Sequence, residues 1–88
     1  MADDAPAVVY RYRQEVLDEL AAYGVFPRAW TPPARVHEFL SDLYRYEIRQ
    51  LKHRLLRREF PLHDYARRVV ELRKRYPVIS LPPGLWTV

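Results

Sequence analysis

A single uninterrupted helical pattern between two proline-containing segments constrains this chain more than any other feature of its sequence. Thr31 followed by Pro32 is typical of a helix N-cap with proline in the first turn. Pro61 ends the pattern because proline disfavours the helical conformation of the residue before it. The helix predicted over residues 32–59 is about 28 residues and about 42 Å long at 1.5 Å per residue. In a chain of 88 residues, a helix of this length must be the central element of the fold.

The apolar side chains of this long helix fall on two of its faces. The main stripe repeats every three or four residues and consists of Val36, Leu40, Tyr44, Ile48, Leu51 and Leu55. A second, weaker stripe of Phe39, Leu43 and Tyr46 lies well around the cylinder. Because two shorter helices of about 14 to 19 residues cannot cover both stripes, we predict a homo-oligomer.

A shorter helix is predicted on each side of the long one. Over residues 5–23 the apolar positions recur at helical spacing, at Val9, Tyr12, Val16, Leu20 and Tyr23. Over residues 62–76 they recur at Leu62, Tyr65, Val69, Leu72 and Tyr76. Both patterns are typical of amphipathic helices. The predicted fold is therefore one all-α domain over residues 1–88, with three helices of which the second is long and central.

Residues 77–88 are predicted to form an extended, proline-containing C-terminal arm. Pro82 and Pro83 exclude a continuous helix, and the segment is too apolar to remain solvated. We expect it to lie as a strap over the second stripe of its own long helix. The alternatives are insertion into the groove of a partner and addition of residues 78–81 as a strand to another edge.

Several classes of function are excluded or disfavoured by the residues that the chain lacks. It has no cysteine, which excludes a disulfide framework, a thiolate zinc site and cysteine catalysis. Its histidines, His37, His53 and His63, do not share the spacing of metal ligands on one helix. The sequence contains no Gly-rich phosphate loop and no serine nucleophile motif. We therefore expect no enzyme, no cofactor and no metal site.

The sequence also favours a cytoplasmic protein without a membrane partner. It opens with acidic residues rather than a basic segment, and no apolar run approaches the roughly 18 residues of a membrane span. Thirteen of its fifteen basic residues are arginine and asparagine is absent, a composition that fits a thermophile or a GC-rich genome.

The net charge of +4 is distributed unevenly along the chain. Residues 1–20 carry two arginines and five acids, whereas residues 45–58 carry six basic residues and only one acid. The basic face of the long helix comprises Arg45, Arg49, Lys52, His53 and Arg57, and it lies beside the aromatic Tyr46. Such a face can bind phosphates and stack on a base. The same residues can instead form an ordinary solvated surface, or pair with the acidic first helix of this chain or of a neighbouring one. Nucleic acid is not required to explain them, because a run of charged residues alone does not recognise a base sequence.

Three charged residues fall on arcs that are otherwise apolar: Arg13, Glu47 and Arg73. A charge buried without a partner is costly. We therefore expect Glu47 to accept a hydrogen bond from Arg13 or Arg73 and so to fix the register of the helices. The alternative is that each arginine lays its stem on the core and keeps its guanidinium in water.

Tyrosine and tryptophan beside arginine form a composition that is typical of interface hot spots. The candidate partner-binding residues are the ones that helical spacing does not place in a core: Trp30, Phe39, Tyr46, Leu81, Leu85 and Trp86. The sequence thus predicts a small non-catalytic protein–protein interaction module or accessory subunit that self-associates through the long helix and the arm. The alternative is a nucleic-acid-associated protein that uses the arginine-rich face.

Overall fold

The protein is described by a computed structural model that covers residues 8–88. Its helices are α1 (Gln14–Ala21), α2 (Pro33–Leu56) and α3 (Tyr65–Lys74). Short 3-10 turns cover Leu62–Asp64, Pro77–Ser80 and Pro83–Leu85. Residues 8–88 contain no strand longer than a single β-bridge, which joins Tyr12 to Thr87. The prediction of an all-α fold with three helices and a long central one is confirmed.

The molecule is a rod rather than a sphere. Its extents are 58 × 25 × 18 Å and its radius of gyration is 16.8 Å, whereas a compact domain of this length would have a radius of about 12 Å. The long α2 causes this shape, since α1 and the arm cover one end of it and α3 packs along the other. These elements all pack against one side of α2, so its outer side is left without a second layer of structure.

The long helix begins and ends close to the predicted bounds. Pro32 is the extended residue before it and Pro33 occupies its first position, where a missing N–H costs nothing. The hydroxyl of Thr31 accepts a hydrogen bond from the backbone N–H of Arg28 at 2.9 Å and does not cap the helix. The start of α2 is thus set by the two prolines rather than by the predicted threonine cap.

Both α1 and α2 end in the same hydrogen-bond pattern. After α1, Val25 N–H donates to Leu20 C=O at 3.0 Å and Gly24 N–H donates to Ala21 C=O at 2.9 Å. This is the Schellman arrangement, which needs a residue with positive φ. Gly24 supplies it at φ 75°.

At the end of α2 an arginine takes the place of the glycine. Glu59 N–H donates to Arg54 C=O at 3.1 Å and Arg58 N–H donates to Leu55 C=O at 2.9 Å. Arg58 lies at φ 59°, a conformation that costs a residue with a Cβ roughly 1–2 kcal/mol. The turn from α2 to α3 therefore carries local backbone strain.

Substitutions at the two positive-φ positions that end α1 and α2 should change the free energy of unfolding in opposite directions. Gly24→Ala should lower the free energy of unfolding by about 1 kcal/mol, since the added Cβ meets no atom within 4 Å and only the backbone conformation is penalised. Arg58→Gly should raise the free energy of unfolding because it relieves the strain. Urea denaturation of both variants measures the effects. A stabilised Gly24→Ala variant would contradict the assignment of the left-handed stop.

The first helix is shorter than predicted. It begins at Gln14 rather than near residue 5; residues 8–13 are not helical, and residues 5–7 lie outside the described residues. The backbone of this segment pairs with the arm: Arg13 N–H donates to Trp86 C=O at 2.8 Å, and Val88 N–H donates to Arg11 C=O at 2.9 Å. These tertiary bonds satisfy backbone groups that a helix would otherwise pair internally.

The arm folds over the core of its own chain. The core consists of residues from α1, α2 and the arm: Val16, Leu20, Val36, Leu40, Val78 and Trp86. Trp86 is fully buried and its Nε1–H donates to Leu81 C=O at 2.9 Å. The arm therefore covers the first two positions of the main stripe of α2. It does not cover the second stripe, as the strap prediction required, because Phe39 and Tyr46 remain exposed.

The second half of α2 forms a helical hairpin with α3. Leu51, Phe60 and Leu72 are buried there, and the guanidinium of Arg68 lies over the ring of Phe60 at 4.2 Å. The predicted third helix, over residues 62–76, is present as a 3-10 turn followed by the α-helix Tyr65–Lys74.

Between the two ends, three tyrosine rings connect α2 and α3 to the end of α1. Tyr76 stacks on Tyr23, with ring centroids 5.1 Å apart and planes 12° from parallel. The ring of Tyr44 packs edge-on against Tyr76 at 5.5 Å. Such pairs add about 0.5–1.5 kcal/mol beyond their burial, so this cluster joins the two parts of the rod.

Candidate interaction surface

The second stripe of α2 is the most exposed apolar face of the long helix. Phe39 is 55% exposed and Tyr46 is 51% exposed, and the two lie seven residues, or about two turns, apart on one side of α2. Leu43 lies between them and is half-buried. At about 100° per residue, Phe39 and Tyr46 lie roughly 100–120° around the helix from Leu40, whereas Leu43 lies about 60° from it, at the edge of the core that α1 and the arm complete. Phe39 and Tyr46 are thus accessible along the middle of the rod.

The predicted partner-binding residues do not form one surface. Trp30 lies in the loop before α2 and Leu85 in the last turn of the arm, and both are about half exposed. Leu81 packs against the core. Trp86 is buried at the centre of that core, so its assignment to a partner surface is corrected to a structural role. Phe39 and Tyr46 are the pair that the structure brings together on one helix face.

The basic residues predicted for nucleic-acid binding are all exposed: Arg45, Arg49, Lys52, His53 and Arg57. At 100° per residue, the first three face the outer side of α2, and the last two lie toward the second stripe.

The ion pairs on this face are of the kind that contributes little to stability. Arg45 is 2.9 Å from Asp42 and Arg57 is 2.8 Å from Glu59. No carboxylate of residues 8–88 lies within 4 Å of Arg49 or Lys52. Hydrogen bonds from Arg57 and Arg54 lower the pKa of Glu59. Exposed pairs of this type contribute at most about 1 kcal/mol.

Glu47 has a different partner from the predicted one. Its Oε2 accepts a hydrogen bond from the hydroxyl of Tyr76. Arg13 instead donates from Nε to Leu85 C=O at 2.9 Å, and Arg73 is exposed beside Tyr76. The predicted pairing of Glu47 with Arg13 or Arg73 is therefore not formed. A tyrosine hydroxyl satisfies the carboxylate at the junction of α2 and α3, and both arginines keep their side chains exposed.

A groove of about 250 Å³ runs between α2 and α3. Its polar lining includes Tyr46, Gln50, Arg54, Arg68, Glu71 and Arg75. Its charges are mixed, and Glu71 is already paired with Arg67 at 3.0 Å.

Among residues 8–88, no three side chains of the metal-ligating types lie close enough to hold an ion. None of the helices in this range is both long and apolar enough to span a bilayer.

The fold and this surface define an elongated three-helix protein with a helical hairpin and an exposed apolar stripe. No protein-family model, curated protein or solved structure matches the chain.

Proposed function

We propose that this protein is a small non-catalytic protein–protein interaction module that self-associates through the second stripe of α2. The observation that supports the proposal is the exposure of Phe39 and Tyr46 on one helix face at the middle of a 58 Å rod. Large apolar side chains that cluster at a surface mark interaction sites, and tyrosine is enriched at hot spots. Covering this stripe would also give α2 the packing partner that the described chain does not provide there.

The arm contributes to this function by holding the rod together rather than by binding the partner. Its Trp86 and Val78 belong to the core that joins α1 to α2. An arm inserted into another chain would have to remove Trp86 from that core. The interface proposed here is therefore smaller than the sequence predicted and is centred on α2.

Introducing a charge into the stripe should dissociate the complex without unfolding the chain. Phe39→Glu and Tyr46→Glu should each weaken self-association more than about tenfold, or about 1.4 kcal/mol, because a carboxylate would be desolvated at the contact. Light scattering after size-exclusion chromatography, over a concentration series, measures the effect. Leu56→Glu is the matched control, since Leu56 is 69% exposed on the outer side of α2.

Circular dichroism should show an unchanged helix content in all three variants. A wild-type protein that is monomeric at every concentration would contradict self-association. A control variant that dissociates as readily as Tyr46→Glu would contradict the choice of face.

Nucleic-acid association through the basic face of α2 is the second candidate function. The observation that favours it is that Arg49 and Lys52 are exposed and have no carboxylate of residues 8–88 within 4 Å. Binding of this kind weakens steeply with salt because counterions are released. A monomer that copurifies with nucleic acid and loses it at high salt in the same chromatography would favour this function over self-association.

A further inference from the structure

We propose, on the basis of the self-association argued above, that the second copy binds antiparallel. The α2 helices of the two copies would pack along their second stripes, with the two-fold axis between Leu43 and Tyr46. Three observations carry the orientation: the spacing of the stripe, the distribution of apolar residues along it, and the distribution of charge along α2.

The first observation is that the stripe continues beyond Tyr46 with coiled-coil spacing. Its positions are 39, 43, 46, 50, 53 and 57, and the intervals of four and three residues alternate throughout. Alternation of this kind keeps one seam of a helix facing a partner helix. The seam is Phe39, Leu43, Tyr46, Gln50, His53 and Arg57.

The second observation is that the apolar residues occupy only the first half of this seam. In an antiparallel pair with the proposed axis, Leu43 of each copy lies opposite Tyr46 of the other, and Phe39 lies opposite Gln50. The two central layers are then apolar. In a parallel pair each residue would face its own equivalent, so that Arg57 would meet Arg57 and one half of the seam would be entirely polar.

The third observation is the charge of the two halves of α2. Residues 33–44 carry Arg35, Glu38 and Asp42, a sum of −1, whereas residues 45–58 carry six basic residues and Glu47, a sum of +5. Antiparallel packing places the basic half of one copy beside the weakly acidic half of the other. Parallel packing would place two strongly basic halves together, and like charges across an interface are unfavourable.

One cross-chain pair follows directly from this register. Asp42 and Arg49 each lie immediately before a seam residue, on the same side of the seam. In an antiparallel pair, flanking positions of this type face each other, so Asp42 of one copy would approach Arg49 of the other. Arg49 is exposed, and no carboxylate of its own described chain lies within 4 Å. The second copy would supply one. The part of the seam that meets the seam of the other copy, residues 39–50, is one helix wide and about 17 Å long at 1.5 Å per residue, so we expect a weak, reversible dimer rather than an obligate one.

Cysteine cross-linking tests the orientation cleanly, because the natural chain contains no cysteine. Phe39→Cys and Gln50→Cys are prepared as single variants of the full chain, oxidised separately and as an equimolar mixture, and separated by mass. Within one helix the two positions are about 16 Å apart at 1.5 Å per residue, so neither variant should cross-link to itself when the pair is antiparallel. The mixture should give the mixed disulfide dimer in large excess. Lys52→Cys, on the outer side of α2, is the control that should not cross-link with any of them.

The result is read together with light scattering of the unmodified protein and of both reduced cysteine variants. Mixed disulfides alone, in a dimeric protein, support the antiparallel pair. Self-disulfides of each single variant would overturn it in favour of a parallel pair, and no disulfide in a dimeric protein would overturn the choice of seam. Both of these outcomes leave self-association standing, whereas a monomeric protein would overturn self-association and the orientation together.

Discussion

Trp86→Ala is expected to lower the free energy of unfolding by about 3–5 kcal/mol, the range typical of removing a large aromatic side chain from a core. Trp86 has no exposed surface and packs with side chains from α1, α2 and the arm. Its indole N–H also donates to Leu81 C=O at 2.9 Å. Small domains unfold with a free energy of only about 5–15 kcal/mol. Urea denaturation followed by circular dichroism should therefore show a large loss of stability, or a chain that is already partly unfolded in buffer.

The second tryptophan of the chain provides the matched control. Trp30 is 55% exposed in the loop before α2, and Trp30→Ala should change stability by no more than about 0.5 kcal/mol. Deletion of residues 82–88 should resemble Trp86→Ala, because it removes the same indole together with the backbone bonds to residues 11–13. Equal effects of the two tryptophan substitutions would contradict the docking of the arm on its own core.

Local periodicity predicted α2 well because its determinants lie within the helix itself. The prolines at its start and the spacing of its apolar residues are sufficient to place it within a few residues of Pro33–Leu56. Spacing alone does not predict the exposure of Phe39 and Tyr46, since the sequence favours an arm that covers their stripe, whereas the arm packs with Val36 and Leu40.

The start of α1 could not be predicted in the same way. Val9 and Tyr12 have helical spacing with respect to Val16, yet residues 8–13 are not helical. Two residues of this segment form backbone hydrogen bonds with the arm, more than 70 residues away in sequence: Arg13 bonds to Trp86, and Arg11 to Val88. Local propensity cannot anticipate a partner so distant, and tertiary pairing overrides it.

The candidate site was only partly predictable for a related reason. Trp86 and Phe39 are both large apolar residues that the main helical stripes leave unplaced, and composition does not distinguish a core residue from an interface residue. The sequence favours an arginine partner for Glu47, but Tyr76 supplies the hydrogen bond. A tyrosine on an apolar stripe provides both a ring for the core and a hydroxyl donor, so it competes with arginine for a carboxylate that lies near the core.

The hydroxyls of three tyrosines bind protein acceptors. Tyr12 donates to Thr31 C=O, Tyr23 donates to Arg75 C=O, and Tyr76 donates to Glu47. Burial, with a smaller contribution from Tyr10, raises the pKa of Tyr12 to about 12. Burial is also the main reason why the pKa values of Tyr23 and Tyr76 are raised, and the hydrogen bond to Glu47 raises that of Tyr76 further. The folded state therefore favours the neutral form of all three.

Alkaline pH should consequently unfold the protein. In the unfolded chain a tyrosine ionises near pH 10, whereas these three stay neutral to higher pH in the folded state. Their contribution to stability is complete below about pH 10 and is lost as the pH rises from there through the folded pKa values, because the unfolded state then binds fewer protons. The free energy of unfolding from urea denaturation should be flat up to about pH 9 and fall steeply above it.

Phenylalanine variants identify the groups responsible. Tyr12→Phe and Tyr76→Phe lose the ionisable hydroxyl and keep the ring, so each should be less stable than the wild type at neutral pH, yet lose stability less steeply above pH 10. Tyr46→Phe removes a hydroxyl from an exposed position and should leave the alkaline slope unchanged. If the two core variants lose stability as steeply as the wild type, the alkaline transition arises from other groups, and the hydrogen bonds of Tyr12 and Tyr76 do not couple folding to pH.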